Sequence, residues 1–182
     1  MNIRPLGIPG VLLIAPVRLR DARGWFSETY SQARLDALGL PVFVQDNESC
    51  SLSAGTVRGL HYQLGPAAQA KLVRCAAGAV FDVAVDIRPG SPTFGSYVSA
   101  RLDAEEGVQM FIPEGFAHGF CTLTPEAIIQ YKVSAPYAPG SEAGIAWDDA
   151  GLGINWPVQA AHAVLSDRDR ALPPLSGARL EP

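Results

Sequence analysis

Short apolar runs separated by glycine and proline follow one another along most of the chain. The clearest run covers residues 79–87, where the odd-numbered positions from 81 onward are all apolar and the even-numbered positions include Asp82 and Asp86. A period of two predicts a β-strand with one apolar and one partly polar face. Similar patterns predict further strands at 94–102, 108–112, 120–124 and 127–133.

Helical signals are fewer than strand signals. The pattern predicts one helix over Ala33–Leu38, with Ser31 at the N-cap position and Gly39 ending it. From Pro173 onward, proline and small residues predict an extended end. With 18 glycines, 15 prolines and no internal repeat or linker, the sequence favours one all-β domain over residues 1–182. The predicted architecture is a double-stranded β-helix, or jelly roll, with a few short flanking helices.

Composition narrows the possible functions. The chain has 182 residues, enough for a substantial core, and no apolar stretch approaches the length of a membrane span. A formal net charge of -4 leaves no basic footprint for nucleic acid, although local arginines could still hold a small anion. Cys50, Cys75 and Cys121 are widely spaced, which favours reduced thiols over a disulfide or zinc framework. Since the N-terminus lacks a basic region followed by an apolar run, we expect a cytoplasmic protein that does not bind membranes.

Candidate chemistry begins with His61, one of three histidines, which follows Arg58 within the segment Val57–Gln63. Imidazole is well suited to take a proton near neutral pH. In the predicted strands Lys71 and Tyr131 fall on apolar faces, so the polar end of each needs a partner. Taken singly, a lysine reaching out at a strand end and a core tyrosine bonded to the backbone are the favoured interpretations. Taken together, the base, the cation and the phenol form a set for proton transfer at a carbon next to a carbonyl.

Strand alternation raises a difficulty within Val57–Gln63. In a regular strand Arg58 and His61 would point to opposite faces, because they are three positions apart. We therefore expect Gly59 to mark a β-bulge or a bend.

A metal site is the alternative chemistry. Residues 113–118 have the P-x-G-x-x-H form found in the second motif of cupins, a jelly-roll superfamily in which many members bind metal with an additional H-x-H pair. Here the first motif reads His61-Tyr62-Gln63, so at most His61 and His118 remain as nitrogen ligands. Transition-metal sites usually have three or four protein ligands, so metal catalysis is disfavoured and no metal is expected. His118 is then either a donor lining the site or a structural histidine.

Seven longer motifs give the chain a specific resemblance. In order they are DARGWFSE at 21–28, QDNES at 45–49, VRGLHYQ at 57–63, QAKLVR at 69–74, VFDVAVDIR at 80–88, IPEGFAHGF at 112–120 and LSDRD at 165–169. From about residue 11 to about residue 174 the chain resembles the dTDP-4-dehydrorhamnose 3,5-epimerase family, whose members are cupin-fold enzymes that need no cofactor.

The resemblance implies a role for each matching residue. His61 matches the catalytic base, and Asp169 matches the carboxylate that orients its ring. Tyr131 matches the acid, and Lys71 matches the cation near the C4 carbonyl oxygen of the substrate. Arg168 stands at a substrate-binding position where the family usually has lysine, which keeps the charge but changes the geometry. Further matches to nucleotide- and sugar-binding positions are Arg23, Phe26, Glu28, Gln45, Asn47, Arg58, His118 and Glu142.

The implied reaction is inversion of C3 and C5 in dTDP-4-dehydro-6-deoxy-D-glucose, a step of dTDP-L-rhamnose synthesis. The resemblance also implies no cofactor and a homodimer in which an N-terminal segment is exchanged between subunits. The sequence has no dinucleotide-binding glycine motif, which is consistent with an enzyme that needs no cofactor. The alternatives are an epimerase that inverts only C3 or only C5 of a related nucleotide ketosugar, a metal-dependent cupin enzyme and a non-catalytic module that binds sugar nucleotides.

Overall fold

Thirteen short strands account for most of the regular structure in the computed structural model, which describes residues 1–180. In chain order they are β1 (Asn2–Pro5), β2 (Leu12–Ala15), β3 (Leu19–Asp21), β4 (Gly24–Phe26), β5 (Gln45–Ser51), β6 (Val57–Gln63), β7 (Lys71–Ala77), β8 (Ala79–Asp86), β9 (Tyr97–Asp103), β10 (Gln109–Ile112), β11 (Phe116–Thr122), β12 (Ala127–Val133) and β13 (Glu142–Gly144). The helices are α1 (Gln32–Asp36) and α2 (Asp167–Arg170), with single 3-10 turns at Gly65–Ala67, Pro139–Ser141, Ala160–His162 and Leu175–Gly177. None of the helices within residues 1–180 is long and apolar enough to cross a membrane.

Two antiparallel sheets and one separate hairpin contain all of these strands. The larger sheet has six strands in the order β1-β2-β10-β7-β12-β5, and the smaller has five in the order β13-β6-β11-β8-β9. The hairpin pairs β3 with β4 and lies outside both sheets. The predicted all-β jelly roll is confirmed.

The largest hydrophobic cluster draws residues from both sheets. Val73 and Ile129 come from the six-stranded sheet, and Val80 and Phe120 come from the five-stranded sheet. Their burial, between 0% and 5% exposed, is the main source of stability for such a sandwich.

The two faces of β8 differ as the alternation predicted, but the more apolar face points away from the other sheet. The apolar residues Val83, Val85 and Ile87 belong to a second cluster, which is covered by C-terminal residues such as Leu152 and Trp156. The other face packs Val80 and Ala84 into the cluster shared by the two sheets, so Asp82 also points between the sheets. A carboxylate between the sheets indicates a polar site within the sandwich.

Several predicted element boundaries were confirmed and others were wrong. β12 has the predicted bounds, whereas β11 begins at Phe116 and β9 begins at Tyr97. The predicted helix begins one residue earlier than expected and ends at Asp36, and Ser31 occupies the N-cap position without a side-chain capping hydrogen bond. Gly39 follows with a φ of +70°, the conformation expected of a glycine that ends a helix.

The extended end predicted from Pro173 onward was partly wrong. Residues 175–177 form a 3-10 turn, and Leu175, Ala178 and Leu180 pack against the second hydrophobic cluster. Apolar side chains at every few positions are enough to bring this segment onto the outer face of the five-stranded sheet. The last two residues of the predicted end lie outside the described residues.

Candidate active site

A cavity of about 370 Å³ opens between the two sheets. Residues of β6, β11 and β13 line it from the five-stranded sheet, residues of β5, β7 and β12 line it from the six-stranded sheet, and α2 contributes at one side. Its polar lining includes His61, Lys71, His118, Tyr131 and Asp169. Because β6 and β12 belong to different sheets, His61 and Tyr131 reach the cavity from different walls.

His61 and Asp169 form a short hydrogen bond inside this cavity. Nε2 of His61 lies 2.6 Å from Oδ1 of Asp169, although 108 residues separate the two in sequence. The His61 side chain is 31% exposed and that of Asp169 is 6% exposed. Burial raises the pKa of Asp169, but the hydrogen bond and charge of His61, together with a hydrogen bond involving the Ser166 side chain, outweigh burial and leave the pKa below its usual value. An ionised carboxylate can only accept, so Nε2 carries the hydrogen and Nδ1 is left as the basic nitrogen.

A β-bulge brings Arg58 and His61 to the same cavity. In the pairing of β6 with β11, His61 is opposite His118 and Arg58 is opposite Phe120, so β6 has one more residue than its partner over this stretch. Gly59 lies inside the bulge with a φ of +124°, a conformation open to glycine. The predicted bulge is confirmed, and it cancels the regular alternation that would have separated the two side chains.

Lys71 lies buried at the start of β7, with only 7% of the residue exposed. Its Nζ donates a hydrogen bond to the backbone oxygen of His61 at 3.1 Å. Burial lowers the pKa of Lys71 to about 8, and the charges of Asp82 and Glu142 partly oppose that shift. A lysine that points into the cavity is a cation available to a bound anion, and it does not reach out to solvent.

A second histidine–carboxylate pair lies next to Lys71. Nε2 of His118 is 2.9 Å from Oδ1 of Asp82, and Asp82 is completely buried. The other oxygen of that carboxylate, Oδ2, has no hydrogen-bond partner among residues 1–180. His118 therefore lines the cavity, and its ring is held in place by the hydrogen bond to Asp82. Sequence reasoning gave Asp82 no role at the site.

Tyr131 lies half-buried on β12 and also lines the cavity. Burial raises the pKa of its phenol, and the nearby Arg58 guanidinium partly opposes the increase. The phenol therefore keeps its proton at neutral pH, as an acid must before it donates.

Glu142 joins two further cavity residues into a network. Its carboxylate accepts a hydrogen bond of 2.6 Å from the Tyr137 hydroxyl and forms an ion pair with Arg168. Burial raises the pKa of Glu142, but Tyr137 and Arg168 outweigh burial and lower the pKa overall. The ion pair of Glu142 with Arg168 thus lines the cavity. Tyr137 was missed in the sequence, because nothing in its Ala-Pro-Tyr-Ala-Pro surroundings indicates a site.

Other predicted binding residues lie away from the cavity within the single chain. Arg23 is at the turn of the β3–β4 hairpin, 89% exposed at its side chain and paired with Asp21. Phe26 on the same hairpin is 67% exposed. Glu28 follows it and pairs with Arg34 at 2.9 Å.

Gln45 and Asn47 occupy the edge strand β5, next to the cavity residues rather than among them. Nε2 of Gln45 donates to Oδ1 of Asn47 at 2.8 Å, and Oε1 of Gln45 accepts from the Tyr137 backbone at 2.9 Å. Arg58, by contrast, lines the cavity and donates to Ser51 and to the backbone oxygen of Cys50.

Within the described part of the chain, no three histidine, cysteine, aspartate or glutamate side chains are grouped so that they could hold a metal ion. The two cavity histidines, His61 and His118, each have a carboxylate partner of their own.

Known proteins similar to this chain share most of its length. A family model described as dTDP-4-dehydrorhamnose 3,5-epimerase matches residues 5–177. The enzyme of that name from Sinorhizobium fredii (strain NBRC 101917 / NGR234) is 51% identical over 179 residues, which are 96% of this chain and 90% of the relative. A crystal structure of dTDP-6-deoxy-D-glucose-3,5-epimerase from Legionella pneumophila Philadelphia 1, in complex with dTDP-4-keto-L-rhamnose, has 45% sequence identity and a TM-score of 0.91, covering 96% of this chain and 93% of that one. A 3′-monoepimerase from Streptomyces bikiniensis in complex with dTDP-quinovose has 38% identity and a TM-score of 0.86, covering 94% of this chain and 87% of that one.

Proposed function

This chain belongs to the dTDP-4-dehydrorhamnose 3,5-epimerase family, and we propose that it inverts C3 and C5 of dTDP-4-dehydro-6-deoxy-D-glucose to give dTDP-4-dehydro-L-rhamnose. The observation that carries the proposal is the His61–Asp169 pair in a cavity that also contains Lys71 and Tyr131. A nucleotide-sugar substrate also makes a cytoplasmic enzyme the natural expectation.

The first half of the proposed reaction removes a proton from carbon. C3 and C5 both flank the C4 ketone, so one carbonyl makes both C–H bonds acidic. Nδ1 of His61 takes the proton, and the resulting imidazolium is stabilised by the carboxylate of Asp169 at 2.6 Å. The electron pair moves onto the C4 oxygen, where the ammonium group of Lys71 stabilises the enolate. A well-placed base of this kind contributes roughly 10²–10⁴-fold to the rate.

The second half returns a proton to the opposite side of the same carbon. Tyr131 is on β12 in the other sheet from His61, and we assign it as the acid at C5. One proton leaves and one proton enters at each carbon, so the reaction needs neither an oxidant nor a reductant. The chemistry is therefore proton transfer throughout.

The diphosphate of the substrate requires cationic groups. Arg58 and Arg168 line the cavity, and a guanidinium suits phosphate oxygens because it donates two parallel hydrogen bonds. Arg168 is already paired with Glu142, so substrate binding has to share or replace that contact.

We propose further that the protein is a homodimer and that each cavity is completed by the partner. The three binding residues that lie away from the cavity, Arg23, Phe26 and Glu28, are all on or next to the exposed β3–β4 hairpin. Leu19 and Trp25 of the same hairpin are 63% and 50% exposed, and an apolar surface of this kind is typical of a protein interface. A two-fold dimer would insert each hairpin at the cavity of the other subunit.

The decisive experiment is conversion of dTDP-4-dehydro-6-deoxy-D-glucose in D₂O, with NMR of the recovered sugar. The proposal predicts deuterium at both C3 and C5. Deuterium at only one of these carbons would instead support a mono-epimerase, an activity that the Streptomyces bikiniensis relative shows to be compatible with the fold. No deuterium at either carbon contradicts the proposal, and loss of activity on chelation would favour a metal-dependent enzyme.

A further inference from the structure

The loop between β12 and β13, residues 134–141, forms part of the cavity wall through Tyr137. Its sequence, Ser-Ala-Pro-Tyr-Ala-Pro-Gly-Ser, contains two prolines, which have no backbone N–H to donate. Tyr137 is 52% exposed and has little packing to fix it. The shape of this loop therefore depends on hydrogen bonds from outside it.

Three glutamine side chains supply those bonds at four consecutive residues. Gln69 donates to the oxygen of Ala135 at 2.7 Å, and Gln63 donates to the oxygen of Pro136 at 3.2 Å. Oε1 of Gln45 accepts from the N–H of Tyr137 at 2.9 Å, and Oε1 of Gln63 accepts from the N–H of Ala138 at 2.8 Å. The glutamines come from β5, from β6 and from the segment just before β7, so they join three separate parts of the fold to one loop.

Gln63 is fully occupied by these contacts. Besides its bonds to the loop, its Nε2 donates to the oxygen of Ala67 at 2.7 Å, so both amide hydrogens and the amide oxygen have partners. The residue is only 7% exposed. Its amide is therefore engaged with the protein and has no hydrogen left to donate to a substrate.

We propose that Gln45, Gln63 and Gln69 are positioning residues that hold the 134–141 loop in its substrate-binding shape. The inference rests on the proposed function, because it takes the cavity as the sugar-nucleotide site. The loop sets the place of Tyr137, whose hydroxyl in turn donates to Glu142 at 2.6 Å. Gln63 and Gln69 also line the cavity themselves. Through the loop Gln63 additionally sets the place of Tyr137, and it stands at the position where metal-binding cupins have the second histidine of their H-x-H pair.

Such a role affects binding more than chemistry. None of the proton-transfer groups takes part in the four hydrogen bonds between the glutamines and the loop. His61 bonds to Asp169 instead, and Lys71 bonds to the backbone oxygen of His61. Loss of a glutamine bond should let the loop leave its bound shape, which lowers the fraction of protein competent to bind. The proton-transfer groups should be unaffected once substrate is held.

The test compares Gln63→Leu and Gln69→Leu with the unmodified protein. Leucine keeps a similar volume but removes the hydrogen bonds. We expect KM for the dTDP-ketosugar to rise on the order of tenfold in each variant, the effect of losing about one net hydrogen bond, with kcat for deuterium uptake little changed.

Amide exchange measured by NMR reports on the loop without any substrate. The amide hydrogens of Tyr137 and Ala138 should exchange faster in Gln63→Leu than in the unmodified protein. Gln130→Leu is the matched control, because Gln130 bonds to the side chains of Arg74 and Glu48 and not to the loop. It should change neither KM nor loop exchange.

Two results in active, folded variants would overturn the inference: an unchanged KM, or a fall in kcat with no change in KM. If Gln63→Leu fails to fold, the half-buried Gln69 with its single loop contact still provides the test. If the unmodified protein incorporates no deuterium at C3 or C5, the proposed function itself fails, and that outcome is visible before any variant is made.

Discussion

Lys71 makes the proposed enolate stabilisation depend on pH. Burial lowers its pKa to about 8, and the carboxylates of Asp82 and Glu142 oppose that shift. Only the protonated amine stabilises an enolate oxygen, so kcat/KM should fall as the pH rises through about 8. A pH–rate profile across this range measures it, and a rate that stays flat through the range would contradict the role of Lys71.

Asp82→Asn tests whether the neighbouring carboxylate of Asp82 influences the pKa of Lys71. The change keeps the shape of the side chain beside His118 but removes the negative charge that favours protonated Lys71. The basic limb of the pH profile should therefore move to lower pH. Asp103→Asn is the control, because Asp103 bonds to Arg101 and to the backbone of Glu106. An Asp82→Asn limb that is unmoved or displaced to higher pH would be evidence against this coupling.

At the scale of elements, the bulge in β6 sets the distance between the base and Arg58. A Cβ at Gly59 would lie 2.6 Å from Cα of Gly119 and 2.8 Å from the backbone oxygen of His118. Gly59→Ala should therefore lower the free energy of unfolding by about 3 kcal/mol or more, from backbone strain and the clash together. It should also reduce kcat/KM, because the bulge can no longer hold both side chains at the cavity.

Gly39→Ala separates these two causes. Gly39 has a positive φ of +70°, but a Cβ added there would have no neighbouring atom within 4 Å, so only backbone strain of about 1–2 kcal/mol applies. Urea unfolding of the two variants gives the comparison. Equal losses of stability would mean that the close approach of β6 to β11 is not what requires glycine.

Local pattern was sufficient to predict β8 and β12 but not which way β8 faces. The period of two identified an apolar and a partly polar face, yet the apolar face packs outward because the C-terminal segment covers it. Such long-range coverage leaves no trace in a short stretch of sequence. Lys71 and Tyr131, which the pattern placed on apolar faces, both line the cavity, whereas Asp82 was seen only as the polar half of an alternation.

At the scale of the whole molecule, contacts between distant segments were beyond local pattern. The pairing of His61 with Asp169, 108 residues apart, was expected only from the family resemblance. Tyr137 and the glutamine contacts could not be expected, because they depend on how a proline-rich loop lies across three other segments. Arg23, Phe26 and Glu28 remain predicted binding residues, and the proposed homodimer would bring them to a cavity.

Mixing two inactive variants tests that second subunit. Arg23→Glu should lose substrate binding and His61→Asn should lose the base, so each variant alone should be nearly inactive. In a mixed dimer, one of the two cavities combines an intact His61 with the partner's intact hairpin. Each mixed dimer should therefore regain up to half the activity of the unmodified dimer. If Arg23 served its own chain, mixing would restore nothing, and that result would exclude the exchanged arrangement.

The central claim is that His61 removes the proton next to the ketone. Deuterium uptake from D₂O into the dTDP-ketosugar, followed by NMR at C3 and C5, tests this claim directly in His61→Asn. We predict loss of uptake at both carbons by roughly 10²–10⁴-fold or more. His162→Asn, at an exposed histidine outside the cavity, should exchange both carbons at the normal rate. Uptake at an undiminished rate in folded His61→Asn would contradict the account.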